Sequence, residues 1–445
     1  MTRTLTALTL ALATTAVLSA ENWPAWRGPG DTGVSPESNL PSTWSDTENV
    51  AWRVKLRGLG VSTPIVWGDR IFITSQEGNV AERGGSHPTL VTGAELQAVG
   101  EKTLGGRKQG ERAKADDTVR FVLTALDRAS GKPAWEHVVD AEGPLPELHE
   151  KHNLASPSPA TDGERIYAWY GTGQLVAVDM NGKTVWQRNL AKEIAPISLI
   201  WGPGSSPAVY GKVLYLLSYH GKTAYLMAVD TATGKTKWKV DGAPGVMSYS
   251  TPVMVQAPSG PELIVNSSEG VAGHNPDTGA RLWFYAEANS FPVPAPIPAG
   301  GLIYLNRGFR SSPYMAIRPG GRGDIAATHV VWRQPTSGPY VPSLVHYNGL
   351  LYMATDAGVV SCIDAATGQR VWQERIPGVY MGSPVAGDGK IYFADETGTT
   401  LVLEAGRTLK VLAKNTLRGR FGASPAIAGG RIFLRSDDAL IAIGK

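Results

Sequence analysis

The segment His149–Asn153 reads HEKHN, and clustered histidine and glutamate are the residue types that bind metals or carry protons. The spacing does not follow the zinc pattern H-E-x-x-H: the histidines are three apart, and no further ligand is apparent along the chain. No glycine-rich phosphate loop, calcium loop or Ser-His-Asp order appears. The single cysteine, Cys362, lies in the apolar run VVSCID and reads as a small buried hydrophobe rather than a reactive thiol. A different set of residues is better placed for recognition. Trp201, Tyr249, Phe291, Tyr340, Tyr380 and Phe421 each stand just before a short apolar run. His152 and Asn153 hold the equivalent place earlier in the chain, Arg420 flanks Phe421, and Arg307 and Arg310 lie in LNRGFRSSPY. Aromatic rings with a few cations suit a planar or sugar-like ligand or a partner peptide; the same rings would also serve to fill a channel.

The elements that must position these residues are short strands. In ASPSPATDGERIYAWYGTGQLVAVDMNGKTVW, four apolar runs are separated by Asp162-Gly163, Gly171–Gly173 and Asn181-Gly182, the residue types that tight hairpins need. The same grammar opens at Val61, Gly204, Ser250, Pro294, Val341, Gly382 and Gly422, giving eight units. One phrase closes most of them: AVDTATGKTKW (Ala228–Trp238) recurs as AVDMNGKTVW, ALDRASGKPAW and CIDAATGQRVW, and in worn form as GHNPDTGARLW. Asp and Thr can bond the local backbone and fix the turn, and the Trp lands on the fourth strand, where it can pack on the neighbouring unit. Trp52, Trp135, Trp186, Trp238, Trp283, Trp332 and Trp372 are therefore assigned to structural docking. Later spacings between them run from 40 to 52 residues, the size of a four-stranded blade.

The last unit stops after its third strand, whereas ENVAWRVKL, with Trp52, is a fourth strand without the other three. Together they complete one blade. The expectation is an all-β, eight-bladed propeller of four-stranded antiparallel blades, clasped shut by its N- and C-terminal strands.

The A-x-D-x-x-T-G-x-x-x-W phrase resembles the tryptophan-docking repeat of the PQQ-binding-like (quinoprotein-type) β-propellers, over about residues 22–445. The lead-in NWPAWRGPGDTGVS (Asn22–Ser35) is similar to the segment found before such propellers in exported bacterial proteins. The resemblance implies fold more than function, because the superfamily holds quinone-dependent dehydrogenases beside scaffolds without a cofactor, such as the assembly factor of the outer-membrane β-barrel machinery. The dehydrogenase branch grips its quinone with a vicinal disulfide, a Trp platform and a carboxylate-bound calcium. This chain has no Cys-Cys, and no Glu/Asn/Asp set can be assigned to those ligand roles.

The function expected is therefore a non-catalytic propeller that binds an envelope protein or a glycan at the channel mouth. Its contacts would be the six aromatics with His152, Arg310 and Arg420. No cofactor or metal is expected, and the alternative is a PQQ-dependent dehydrogenase-like oxidoreductase. The first twenty residues, with Arg3 and then an apolar run ending in small residues, read as a secretory signal without a lipobox cysteine. Residues 21–445 are expected to form one propeller domain, periplasmic or secreted and monomeric, with no later membrane span. A formal charge of +3 without a basic run argues against nucleic acid. The first blade carries a long insertion, 78–120, with Arg83 and His87, which reads as a cover over the channel or a mobile loop.

Overall fold

A computed structural model describes residues 22–80, 118–149, 151–309 and 312–444. Its strands form eight antiparallel sheets in a ring. Seven blades are continuous in sequence and span 65–140, 160–189, 208–241, 253–286, 297–334, 345–375 and 385–416. The eighth joins Ala426–Ala428, Arg431–Arg435 and Ala439–Ile443 to Val50–Lys55, with Trp52 opposite Ala442, so the two ends of the chain close the ring as expected. The inner strands are buried almost without interruption, as in RIYAW (Arg165–Trp169) and LLYMA (Leu350–Ala354), because each is covered by a blade on either face. The outer strands alternate between exposed and half-buried residues, which is why their sequences mix charge with Trp and Val.

The repeated phrase is the glue between blades. Asp230 accepts from the Thr233 amide at 2.9 Å and its hydroxyl at 2.8 Å, which fixes the turn. The indole of Trp186, in the preceding blade, then lies on the turn glycine and donates to the Thr231 carbonyl at 2.9 Å. Trp52, Trp135, Trp238, Trp332 and Trp372 donate to the following blade in the same way, at 2.9–3.2 Å.

Trp283 is structural too, sharing a buried apolar cluster with Ile303, Leu305 and Met315 of the fifth blade, but it does not make the turn contact. The fifth blade has no Thr-Gly turn to receive it, having instead a longer connection, 318–329, between Tyr314–Ile317 and Val330–Gln334. Trp283 folds back over Gly273, its cross-strand neighbour, and donates to the buried Glu262 carboxylate at 2.8 Å. Where Trp135, Trp186, Trp238 and Trp332 face an alanine, Trp283 faces a glycine, and only that leaves room for the inward ring. Gly323–Asp324 of the connection adds a parallel strand to the fourth blade, and Arg322 pairs with Glu262 at 3.2 Å.

The lead-in crosses the channel end opposite the blade-to-blade connections. Trp23 exchanges two backbone bonds with Val66 of blade 1, and Pro24 accepts from Thr161 of blade 2. Asp31 meets the Tyr210 hydroxyl of blade 3. Arg27 donates to the carbonyls of Leu344 at 3.2 Å and Pro384 at 2.9 Å, beside blades 6 and 7. Glu37 receives the Gly429 amide of blade 8 at 2.6 Å. Burial lowers the Arg27 guanidinium to about 9 and raises Asp31 to about 6. The segment thus fastens six blades at this end of the channel, while the blade-to-blade connections gather at the other, its mouth.

Candidate functional site at the channel mouth

The innermost strands begin with a small hydroxyl residue, mostly followed by Pro. These hydroxyls accept amide protons from the preceding blade: Thr63 donates to Ser158 at 2.9 Å, Ser158 to Ser206 at 3.0 Å, and Ser206 to Thr251 at 3.0 Å. Beyond Ala295, which has no hydroxyl to receive Thr251, the chain resumes through Ser343, Ser383 and Ser424, each at 2.9 Å. This belt satisfies backbone donors that lie too far inside for water and fixes the radius of the ring. The S-P and T-P dipeptides carried the signal in sequence, as repeated strand openings rather than as hydrogen-bonding groups.

Directly above the belt is a cavity of about 200 Å³. Equivalent residues from all eight blades reach it, among them Val61, Ser156, Val293, Val341, Met381 and Gly422. Trp201, Tyr249 and Tyr340 supply aromatic wall. Behind them the rings continue edge to face, Trp201 to Phe291 with centroids 6.4 Å apart and Tyr249 to Phe291 at 6.4 Å. Phe309, not singled out from the sequence, joins Phe291 at 5.3 Å to Tyr340 at 5.1 Å.

The connection from blade 1 to blade 2 straps part of the mouth. Lys151 reaches across the ring to Glu396 of blade 7 at 2.8 Å. Both ring nitrogens of His152 face carbonyls, Nε2 that of Trp201 and Nδ1 that of Asn153 at 3.3 Å, and burial holds its pKa below the usual histidine value. His149 meets the Trp201 ring edge-on at 5.6 Å. His149, Lys151 and His152 therefore work as a strap tied to Trp201 and Glu396. Among the described residues, no group of three or more His, Cys, Asp or Glu is placed to share a metal ion.

The opposite side of the mouth is acidic. Asp356, Glu396 and Asp437 lie in blades 6, 7 and 8, each six residues after the first residue of its second strand. Glu396 also meets Arg420 at 3.2 Å, and Arg420 reaches Asp437 at 2.8 Å. Asp356, 6 % exposed, accepts from the amides of Tyr340 at 3.2 Å and Val341 at 3.4 Å. Burial raises its carboxyl to about 7, against the pull of those amides and of Lys151. Superposing the units on their second strands would have exposed these three carboxylates in the sequence.

Of the residues expected at the site, Trp201, Tyr249, Tyr340 and His152 line the cavity, Phe291 backs it, and Arg420 lines the adjoining cleft with His152 and Asp437. Tyr380 and Phe421 do not line it: both are 3 % exposed and pack between blades, Tyr380 edge-on to Phe393 at 6.1 Å. Their position before a strand puts them near the mouth, but the gaps between blades 6, 7 and 8 absorb the rings. Arg307 is also turned inward, donating to the Ser267 carbonyl at 2.7 Å, with burial lowering it to about 10. Arg310, Arg83, His87 and the signal sequence lie outside the described residues.

With this geometry established, comparison with known proteins places the chain. The sequence profile of the family described as "Outer membrane protein assembly factor BamB" matches residues 119–291, 324–378 and 356–444. No curated protein sequence matches the chain. Among solved structures, a europium-containing methanol dehydrogenase is similar with a TM-score of 0.63 at 14 % identity, over 93 % of this chain and 89 % of the other. The quinohemoprotein alcohol dehydrogenase of Comamonas testosteroni gives 0.62 at 12 % identity, over 96 % and 81 %. BamB from Moraxella catarrhalis gives 0.53 at 15 % identity, over 75 % and 93 %. At such identities these likenesses speak to the propeller fold.

Proposed function

This chain belongs to the PQQ-like β-propeller family described by the outer membrane protein assembly factor BamB, and we propose that it is an exported, non-catalytic member that binds a protein or glycan partner at its channel mouth. One observation carries the reading: the mouth is a preorganised, largely apolar cup whose charged residues already face one another, Lys151 and Arg420 against Glu396 and Asp437. Such a cup favours recognition, since rigid loops from every blade lose little freedom on binding. Export is supported by the N-terminal leader pattern and the family's outer-membrane description. No helix among the described residues is long and apolar enough to cross a membrane.

The dehydrogenase-like neighbours raise a quinone cofactor as the second reading. PQQ is a planar tricarboxylate and needs cations to hold it. Among the described residues the cations at the mouth, Lys151 and Arg420, already face Glu396 and Asp437. The cavity of about 200 Å³ is also below the 300–1,000 Å³ range of pockets that enclose such ligands. The residues present do not fit the quinone.

The test has two arms. Titration with PQQ and calcium, followed by absorbance and dye reduction with alcohols and sugars, is expected to show no turnover; stoichiometric binding with turnover would reverse the assignment. Capture from an envelope extract is expected to recover a partner with the wild-type protein and lose it with Tyr340→Ala at unchanged melting. Unchanged capture by that variant would remove the mouth from recognition.

A further inference from the structure

The cup itself constrains what enters it. Resting on the reading that the mouth binds a partner, we propose that it receives a single basic side chain, an arginine, from a protruding loop of a partner protein. The guanidinium would lie among Trp201, Tyr249 and Tyr340 and face the carboxylates of blades 6–8.

Size comes first. A cavity of about 200 Å³ ending on the hydroxyl belt admits one long side chain end-on and not an extended chain of sugars. Its wall argues further against a sugar. Val61, Val293, Val341 and Met381 offer nothing to hydroxyl groups, and the polar residues at the rim are engaged with each other. A polyhydroxylated ligand would lose water there without recovering its hydrogen bonds.

Charge then selects a cation. Among the described residues, Glu396 and Asp437 line the mouth and its cleft with Lys151 and Arg420, and Asp356 lies behind the wall. Glu396 takes both Lys151 and Arg420. Asp437 is met by Arg420 through one oxygen, and its buried Oδ1 has no hydrogen-bond partner among the described residues. Asp356 accepts from backbone amides, directly behind the wall formed by Tyr340 and Val341. Among the described residues the Asp356 carboxyl has no side-chain hydrogen bond or ion pair, and it adjoins the aromatic wall. Aromatic faces attract cations electrostatically, more so where water is excluded. Arginine suits the place better than lysine because its planar, weakly hydrated guanidinium stacks on rings and can donate to a carboxylate in the same pose.

The experiment is calorimetric titration of the full chain with N-acetyl-arginine methylamide, beside N-acetyl-leucine methylamide and N-acetylglucosamine. The arginine probe is expected to bind saturably with one site and to weaken at high salt. Tyr340→Ala and Asp356→Asn should each weaken it by about tenfold, while Tyr340→Phe, which keeps the ring, should bind nearly as wild type. Melting curves of each variant separate lost contact from lost fold. Equal or tighter binding of the leucine probe, binding of the sugar alone, or no binding of any probe would overturn the assignment. The wider reading is judged separately: partner capture that still depends on Tyr340 would keep the mouth as a binding surface while rejecting arginine as its anchor.

Discussion

If the turn glycine serves as the floor on which the neighbouring indole lies, adding one methyl group to it should cost more than backbone strain alone. Gly234 and Gly211 belong to the same blade and have φ values of +70° and +58°, so alanine at either adopts a left-handed conformation. That conformation costs about 1–2 kcal/mol for any residue with a Cβ. At Gly211 nothing lies within 4 Å of the added carbon, and the loss ends there. At Gly234 the carbon would fall 2.7 Å from Trp186 Cδ2 and 2.9 Å from Cε3, and the indole must move. Overpacking of this kind adds about 1–3 kcal/mol. If the ring tilts far enough to break its 2.9 Å bond to Thr231, a further ~1 kcal/mol goes. Gly234→Ala is therefore expected to lose about 2–5 kcal/mol, or about 3–6 kcal/mol if that bond breaks, and Gly211→Ala about 1–2 kcal/mol, read from urea unfolding curves at 25 °C. In a Trp186→Leu background the gap between the two should shrink, because the clashing partner is gone. Equal losses at the two glycines, or a gap that survives Trp186→Leu, would show that the indole does not rest on the turn in the way described.

Two further outcomes follow from the ring and its mouth. Deleting residues 436–445 removes the partner of Val50–Lys55, so limited proteolysis should cleave the truncated chain at a temperature where the full chain resists; equal resistance would refute closure by the termini. Asp356 titrates near 7 when folded against 3.8 ordinarily, so the folded state holds its proton more tightly and the associated stability is complete below about pH 4. It is lost as pH rises through 7, by an amount on the order of 4 kcal/mol. Asp356→Asn should flatten that part of the stability–pH curve and exceed the wild type at pH 8; a curve of unchanged slope would remove Asp356 as its cause.

How far the sequence could be read depends on which face of the ring a residue serves. The docking phrase was legible because its parts are neighbours in sequence: Asp230, Thr233 and Gly234 make the turn, and Trp238, four residues on, reaches the next blade. Repetition then made the number of blades and the closing strand readable. Trp283 escaped because its position depends on what the following blade lacks, a Thr-Gly turn, and on Gly273 across the sheet. The plug formed by Trp23 and Arg27 escaped for a similar reason, its partners being up to 357 residues away. At the mouth, position before a strand located all six aromatics near the axis, but it could not tell a ring facing the cavity from one taken up between blades. Tyr340 and Tyr380 are alike in sequence, yet Tyr340 lines the cup and Tyr380 fills a gap. In the turns between second and third strands, Asp356 accepts from the Tyr340 amide, whereas Glu396 and Asp437 meet Arg420. What repeats in this chain holds the blades together on one face. The side chains that give the other face its chemistry are those that break the repeat, so a reading guided by repetition finds the scaffold first and the ligand-facing residues only once the blades are superposed.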